Sequence, residues 1–259
     1  MFIPLFKSFL LLYSLGMDIK EYQAKRSHLL QHQPVYRTLC TTCIQPEFGC
    51  YCAQVQAFDS KINFVVLIHP IEAKRRIATG RMAHLSLTGS HLIQGQDYSH
   101  NQAVTELIND TEYHSVILYP GHQSQNVTPM KAEEKSTLFP TNKKLRVFVI
   151  DGTWATARKM VRLSENLKEL PRICFTPTKP SNFRVRKQPG AECYSTIEAI
   201  HHTIELLGDS QGFNTKKGEH DHLLNVFDYM VERQLEFIRE SNKNPKAATY
   251  RREAQKKSD

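Results

Sequence analysis

The chain has no apolar run of the ~20 residues a membrane-crossing helix needs. Its N-terminal apolar stretch, residues 2–16, is shorter than that and carries Lys7. The stretch has the look of a signal-peptide core, but no small-residue cleavage site follows it. Met17, followed by DIKEYQAKR, reads as an ordinary cytosolic start, so residues 1–36 are expected to be a leader with Met17 as an alternative first residue. Acidic residues are the scarcer charge, 26 against 34 Lys and Arg, and the net +8 suits a polyanionic partner. Tryptophan is scarcer still: the only one is Trp154. The chain is not short of core-forming residues. With 40% hydrophobic residues in 259 it is not a disordered protein, and it could be one large domain or one with attachments.

Cys40, Cys43, Cys50 and Cys52 fall within one short segment, with Pro46 and Gly49 turning the chain between the two pairs. A CxxC pair aims two thiolates at one ion, and a second close pair completes a tetrahedral four-sulfur shell. Zinc is the expected metal for such a soft, redox-silent site, with disulfides or idle thiols as the alternative. A closed shell leaves no open position, so residues 37–60 are expected to be a structural zinc segment. Clustered free thiols also point to a reducing, cytoplasmic compartment. Cys174 and Cys193 have no such spacing and are expected to be small buried residues.

Residues 61–238 have the pattern of an α/β domain. Ile62–Ile68 (INFVVLI), Ser115–Leu118 and Leu145–Ile150 are apolar runs rich in β-branched residues, and each ends in a turn signal. Ser90–Ile93 and Arg172–Phe175 are shorter strand candidates. Helices are expected over Glu72–Leu87, broken near Thr79-Gly80, over Asn101–Asn109, after Thr153, and from Ser195 to Leu207. Alternating units of this kind imply a mostly parallel sheet. Its strands would end at His69-Pro70, Tyr119-Pro120-Gly121 and Asp151-Gly152, and the carboxyl edge is where open α/β sheets bind ligands. Asp151, Thr153 and Trp154 would meet at one pocket mouth, although a capped turn with a core tryptophan has the same local pattern. A proline-framed loop, Thr176–Gly190, carries Arg184, Arg186 and Lys187, suited to gripping a phosphate or carboxylate or simply to facing water. Ser195 and Glu198 form a capping box at a helix start that could also hold an anion. Gly208–His222 reads as a flexible insertion. Leu223 to Ile238 keeps helical spacing. Residues 239–259 read as a basic disordered tail, a loose RNA-contacting arm at most.

Five blocks stand in order between Arg37 and Leu207: the cysteine cluster, His69-Pro70-Ile71-Glu72 with Arg76, Leu118-Tyr119-Pro120-Gly121, Asp151-Gly152-Thr153-Trp154, and Ser195-Thr196-Ile197-Glu198. Together they resemble the DTW-domain family, the tRNA-uridine aminocarboxypropyltransferases. The resemblance implies an SPOUT-like α/β fold with a knotted C-terminal region, and S-adenosylmethionine as donor. The lack of a G-x-G-x-x-G after the first strand agrees, since such folds hold the cofactor in loops. The implied reaction moves the 3-amino-3-carboxypropyl group to N3 of a tRNA uridine and releases methylthioadenosine. On this resemblance Asp151, Thr153 and Trp154 are the candidate catalytic residues. Leu118, Tyr119, Pro120, Gly121, Gly152, Arg184, Ser195, Thr196 and Glu198 would hold the cofactor. His69, Glu72, Arg76, Arg186 and Lys187 would contact the tRNA. An RNA methyltransferase on the same fold, or a non-catalytic zinc-dependent RNA-binding module, is the alternative.

Overall fold

The computed structural model describes residues 38–75, 77–185, 190 and 193–243. Its centre is a six-stranded, wholly parallel sheet: β1 (Asn63–Ile68), β2 (His91–Gln94), β3 (Tyr113–Leu118), β4 (Ser124–Asn126), β5 (Lys144–Asp151) and β6 (Arg172–Cys174). Spatially they run β2-β1-β5-β3-β6-β4. Parallel neighbours require crossovers, and these supply helices to both faces. In chain order the helices are α1 (Pro70–Ala73), α2 (Thr79–Ser86), α3 (Gln102–Asn109), α4 (Ala132–Thr137), α5 (Trp154–Leu163), α6 (Glu165–Lys168), α7 (Thr196–Leu207) and α8 (His222–Lys243).

The period-two alternation of strand side chains decides which face each residue joins. Phe64 and Val66 of β1 and Leu145, Val147 and Val149 of β5 pack with Met82 of α2, the Ile197–Ile200–Ile204–Leu207 stripe of α7, and Leu223 to Val231 of α8. Val65, Leu67, Ile117 and Phe148 point the other way, onto Tyr98, Val104 of α3 and Met160 and Val161 of α5. Both faces of β1 and β5 are therefore covered, which is why these strands read as unbroken apolar runs. Burying one such side chain stabilises the fold by ~1.5–3 kcal/mol.

β4 has no apolar run and was not expected; it exists because its backbone completes the β6 edge. The expected helix over Glu72–Leu87 is two helices, α1 and α2, divided before Thr79 rather than at it. Gly208–His222 is not a loose insertion. It winds through three short 3-10 turns and buries Phe213 and His220, with Phe213 packing on Phe58. Helix α8 runs on to Lys243, so the residues just after Arg239 are helical. The leader 1–36 and the tail from 244 lie outside the described residues, and no helix among those described is long and apolar enough to cross a membrane.

Candidate active site at the carboxyl edge of the sheet

Strand register brings the expected loops together. Ile68 lies opposite Asp151, Leu118 opposite Val149, and Leu118 opposite Ile173, so β1, β5, β3 and β6 end on one edge. The His69 N–H donates to the Asp151 carbonyl at 2.9 Å, and the Tyr119 N–H to the Ile173 carbonyl at 3.0 Å. Between these ends and the start of α7 lies a cleft of about 290 Å³. Leu118, Tyr119, Pro120, Gly152, Trp154 and Thr196, all expected at the site, line it.

Trp154 begins α5 and is 45% exposed, so the only indole of the chain stands at the cleft mouth rather than in the core. Tyr119 lines the same cleft with its phenol pushed up by burial, and the Arg172 guanidinium lies 5.8 Å from its ring centroid. Sequence reasoning missed the remaining wall. Phe175 and Tyr194 line the cleft with ring centroids 5.7 Å apart, and both pack on His202. Cys174 and Cys193 are there too, half-buried rather than enclosed. Burial pushes the Cys174 thiol up. An aromatic one or two residues beyond a strand end was the available signal for Phe175.

Asp151 is the last residue of β5 and 6% exposed. It does not line the cleft. One carboxylate oxygen accepts the Thr196 hydroxyl at 2.6 Å, and the other accepts the Gly80 N–H at 3.2 Å. A Cβ on Gly80 would stand 2.4 Å from that second oxygen, so only glycine lets α2 come this close. Asp151 thus ties the starts of α2 and α7 to the sheet edge, and reaches the cleft through the Thr196 hydroxyl. Thr153 caps α5, accepting the Thr156 N–H at 3.2 Å.

Several residues expected to hold cofactor or RNA are engaged elsewhere. Glu198 accepts from the Ser195 N–H (2.8 Å) and hydroxyl (2.6 Å), the Ser181 hydroxyl (2.7 Å) and the Asn182 N–H (2.8 Å). With this many donors on one buried carboxylate, Glu198 and Ser195 pin the 181–182 loop to α7 instead of facing the cleft. Arg184 is paired with Glu232 of α8 and does not line the cleft. Gly121 shapes the turn after β3, where its carbonyl accepts the Ser124 N–H at 3.0 Å. His69 is buried and caps α1 through Nδ1, which accepts the Ile71 N–H at 3.2 Å. Glu72 is 3% exposed and 3.1 Å from Arg75. Burial removes both from any RNA-facing surface. Arg76, Arg186 and Lys187 lie outside the described residues.

The four clustered cysteines converge, each free, with their sulfurs within 4.8 Å of one another. Cys40 and Cys52 are 3.7 Å apart, Cys43 and Cys50 3.6 Å. Tetrahedral zinc with ~2.3 Å bonds separates its sulfurs by about 3.8 Å, so the cluster fits the ion. The turn is made by Ile44 at a φ of 59°, which folds the chain back around the sulfurs. Backbone N–H groups of Cys43 and then Thr42 bring the Cys40 thiol down to about 6, while burial pushes Cys52 up. The segment docks on α8, where Arg233 donates to the Phe48 carbonyl at 2.8 Å and Phe48 meets Phe237 edge-on.

An aromatic cleft at the carboxyl edge of a parallel α/β sheet stands where open sheets of this class bind their ligands. The family model of the DTW domain matches residues 37–235, and the chain belongs to the DTW domain family. A tRNA-uridine aminocarboxypropyltransferase 2 of Drosophila melanogaster is 28% identical over 182 residues, 67% of this chain and 68% of that protein. Its namesake in Macaca fascicularis is 23% identical over 199 residues, 75% of this chain and 65% of that protein. The tRNA-uridine aminocarboxypropyltransferase A of Arabidopsis thaliana is 23% identical over 235 residues, 81% and 86% of the two chains. No solved structure matches the chain.

Proposed function

We propose that this protein transfers the 3-amino-3-carboxypropyl group of S-adenosylmethionine to N3 of a tRNA uridine. The observation that carries the reading is the cleft where the Tyr119, Gly152–Trp154 and Thr196 loops meet, in a chain whose relatives are named for that transfer. Its walls suit the donor: aromatic faces of Trp154, Tyr119, Phe175 and Tyr194 can stack on adenine and face a sulfonium. The reading carries with it an SPOUT-like arrangement with a knotted C-terminal region, which the interleaved order β1-β5-β3 permits.

In this reading N3 attacks the γ-carbon of the methionine chain, and the carbon–sulfur bond electrons return to sulfur, releasing methylthioadenosine. A sulfonium has three carbons open to attack, so in-line placement of the uridine selects which one reacts. The N3 proton must leave. The Thr196 hydroxyl takes it while passing its own along the 2.6 Å hydrogen bond to Asp151, making the carboxylate the acceptor at the end of a relay. Cys40, Cys43, Cys50 and Cys52 would hold a zinc ion whose closed four-sulfur shell would supply folding energy and take no part in the reaction. The exposed cations of α5, Arg158, Lys159 and Arg162, continue from Trp154 as a surface for tRNA phosphates, consistent with a cytoplasmic tRNA partner.

Incubating purified protein with tRNA and S-adenosylmethionine and analysing the nucleosides by mass spectrometry tests this. The expected products are methylthioadenosine and a uridine carrying the aminocarboxypropyl mass. S-adenosylhomocysteine with a methylated base would instead make the protein an RNA methyltransferase, and no donor binding at all would leave an RNA-binding module.

A further inference from the structure

The segment between α7 and α8 brings together a group of side chains that the proposed reaction does not use. His201 projects from α7, and His220 and Asp221 come from the 3-10 turn that precedes α8. Both imidazoles are buried. One ligand atom from each of the three lies within 4.8 Å of the others. His201 Nε2 is 2.9 Å and His220 Nε2 3.9 Å from the same Asp221 oxygen, and the two ring centroids are 4.8 Å apart.

We infer that His201, His220 and Asp221 form a second metal site, for a divalent transition ion of the zinc type. Ligands on such an ion at ~2.0–2.2 Å stand roughly 3.3 Å from each other in a tetrahedral shell. The separations at Asp221 bracket that value, so rotation of a half-exposed carboxylate closes the site. The Glu205 carboxylate lies 3.6 Å from the far nitrogen of His201, Nδ1, beyond hydrogen-bond length, because the same oxygen is held 2.8 Å from His202 Nδ1. One further observation, at His220, points to an ion rather than to a simple histidine–aspartate hydrogen bond. His220 keeps Nδ1 buried without a hydrogen-bond partner, so hydrogen bonding alone does not account for enclosing this ring. Two imidazoles and one carboxylate leave the fourth position to water, reached on the Asp221 side. The ion would brace α7, which presents Thr196 to the cleft, against the turn leading into α8. It would explain why a polar, glycine- and histidine-rich segment packs as an ordered unit. The site stands whether or not the proposed reaction is the right one.

The test uses the full-length reduced protein, loaded with zinc, desalted and assayed for metal by mass spectrometry, with cobalt as a spectroscopic probe. The native sequence is expected to retain two equivalents per chain. Asp221→Ala, at an exposed carboxylate, and His220→Gln are each expected to retain one, with the thiolate-to-cobalt absorption of the cysteine site unchanged. Added zinc is expected to raise the melting temperature of the native chain beyond the rise seen in Asp221→Ala. A native chain that retains only one equivalent, or an Asp221→Ala chain that still retains two, overturns the site and leaves a hydrogen-bonded staple.

Discussion

The cysteine segment and the carboxyl edge of the sheet hold their shapes by opposite means. From Cys40 to Val55 the regular structure amounts to two 3-10 turns, and few side chains beyond Cys43, Gln45 and Tyr51 are buried. Its local shape comes from four sulfurs meeting, while Cys43 and Tyr51 join the main core and Phe48 docks on α8. The carboxyl edge rests on strands covered on both faces, and its residues are placed by hydrogen bonds between distant elements, Gly80 to Asp151 to Thr196. A thiolate cluster is a local device that a short sequence can encode. A carboxylate that joins two helix starts to a strand exists only once the whole sheet has formed.

The largest expected effect tests the first half of that contrast. Binding energies of structural zinc in small domains reach ~10 kcal/mol and are felt as folding energy. Stripping the metal, or replacing Cys43 with serine, is therefore expected to unfold the segment while the sheet survives. Limited proteolysis should cut between residues 40 and 58 and leave a core from β1 onward. Loss of the whole fold on chelation would mean that the two regions are not separately held.

Gly80→Ala probes the second half. Helix propensity by itself favours alanine by up to ~1 kcal/mol. Here the added methyl would stand 2.4 Å from an Asp151 oxygen and 2.8 Å from Val66 Cγ1. Overpacking of this kind costs ~1–3 kcal/mol, so denaturant unfolding should show a net loss. A stabilised variant would mean that α2 is free to move off the sheet edge.

Asp151 and Thr196 should behave as a pair. A double-mutant cycle with Asp151→Ala and Thr196→Val is expected to give a coupling of ~0.5–3 kcal/mol in stability. Asp151→Asn, which keeps the shape, should lower turnover by ~10²–10⁴-fold if the carboxylate ends a proton relay. Unchanged turnover with a large coupling energy would reduce Asp151 to a fastener.

The same contrast explains what could be read in advance. The cysteine spacing, the apolar runs of β1, β3 and β5 and the cap at Thr153 are local patterns, and each is found where the pattern put it. The meeting of the Tyr119 and Trp154 loops followed from parallel strands ending on one edge, whereas Thr196 was expected there only on the family resemblance. The partners of charged and polar groups were not legible. Glu198 engages a loop 16 and 17 residues away in sequence, and Arg184 pairs with a glutamate on α8. Ser181, Asn182 and Glu232 do not differ in type from the other serines, asparagines and glutamates of the chain. His220 and Phe213 were missed for a related reason, since a polar composition hides a packed segment when a few side chains do the packing.

Acid should weaken the sheet region modestly. Burial, then the nearby His91, holds the His84 imidazole below its usual range, and burial does the same for His114. The unfolded chain therefore takes up these protons first. Stability is whole above about pH 6.5 and falls as pH drops from there through the folded-state values. Melting curves between pH 7.5 and 5.5 should show the decline, and His84→Gln should flatten it. An unchanged slope would assign the acid sensitivity elsewhere.

The smallest expected change in stability comes from the residue closest to the proposed chemistry. Trp154 is 45% exposed at the first turn of α5, and Thr153, not the indole, caps that helix. Trp154→Ala should alter unfolding free energy by less than ~0.5 kcal/mol, as for surface positions without a structural task. Loss of an aromatic stacking face is worth ~1–3 kcal/mol, so binding of S-adenosylmethionine, measured by calorimetry, should weaken about 5- to 150-fold. Trp154→Phe should restore most of the affinity because it keeps a ring at the cleft mouth. A variant that melts early but binds normally would invert the contrast, making the indole part of what holds the edge together and leaving the cleft without its outer wall.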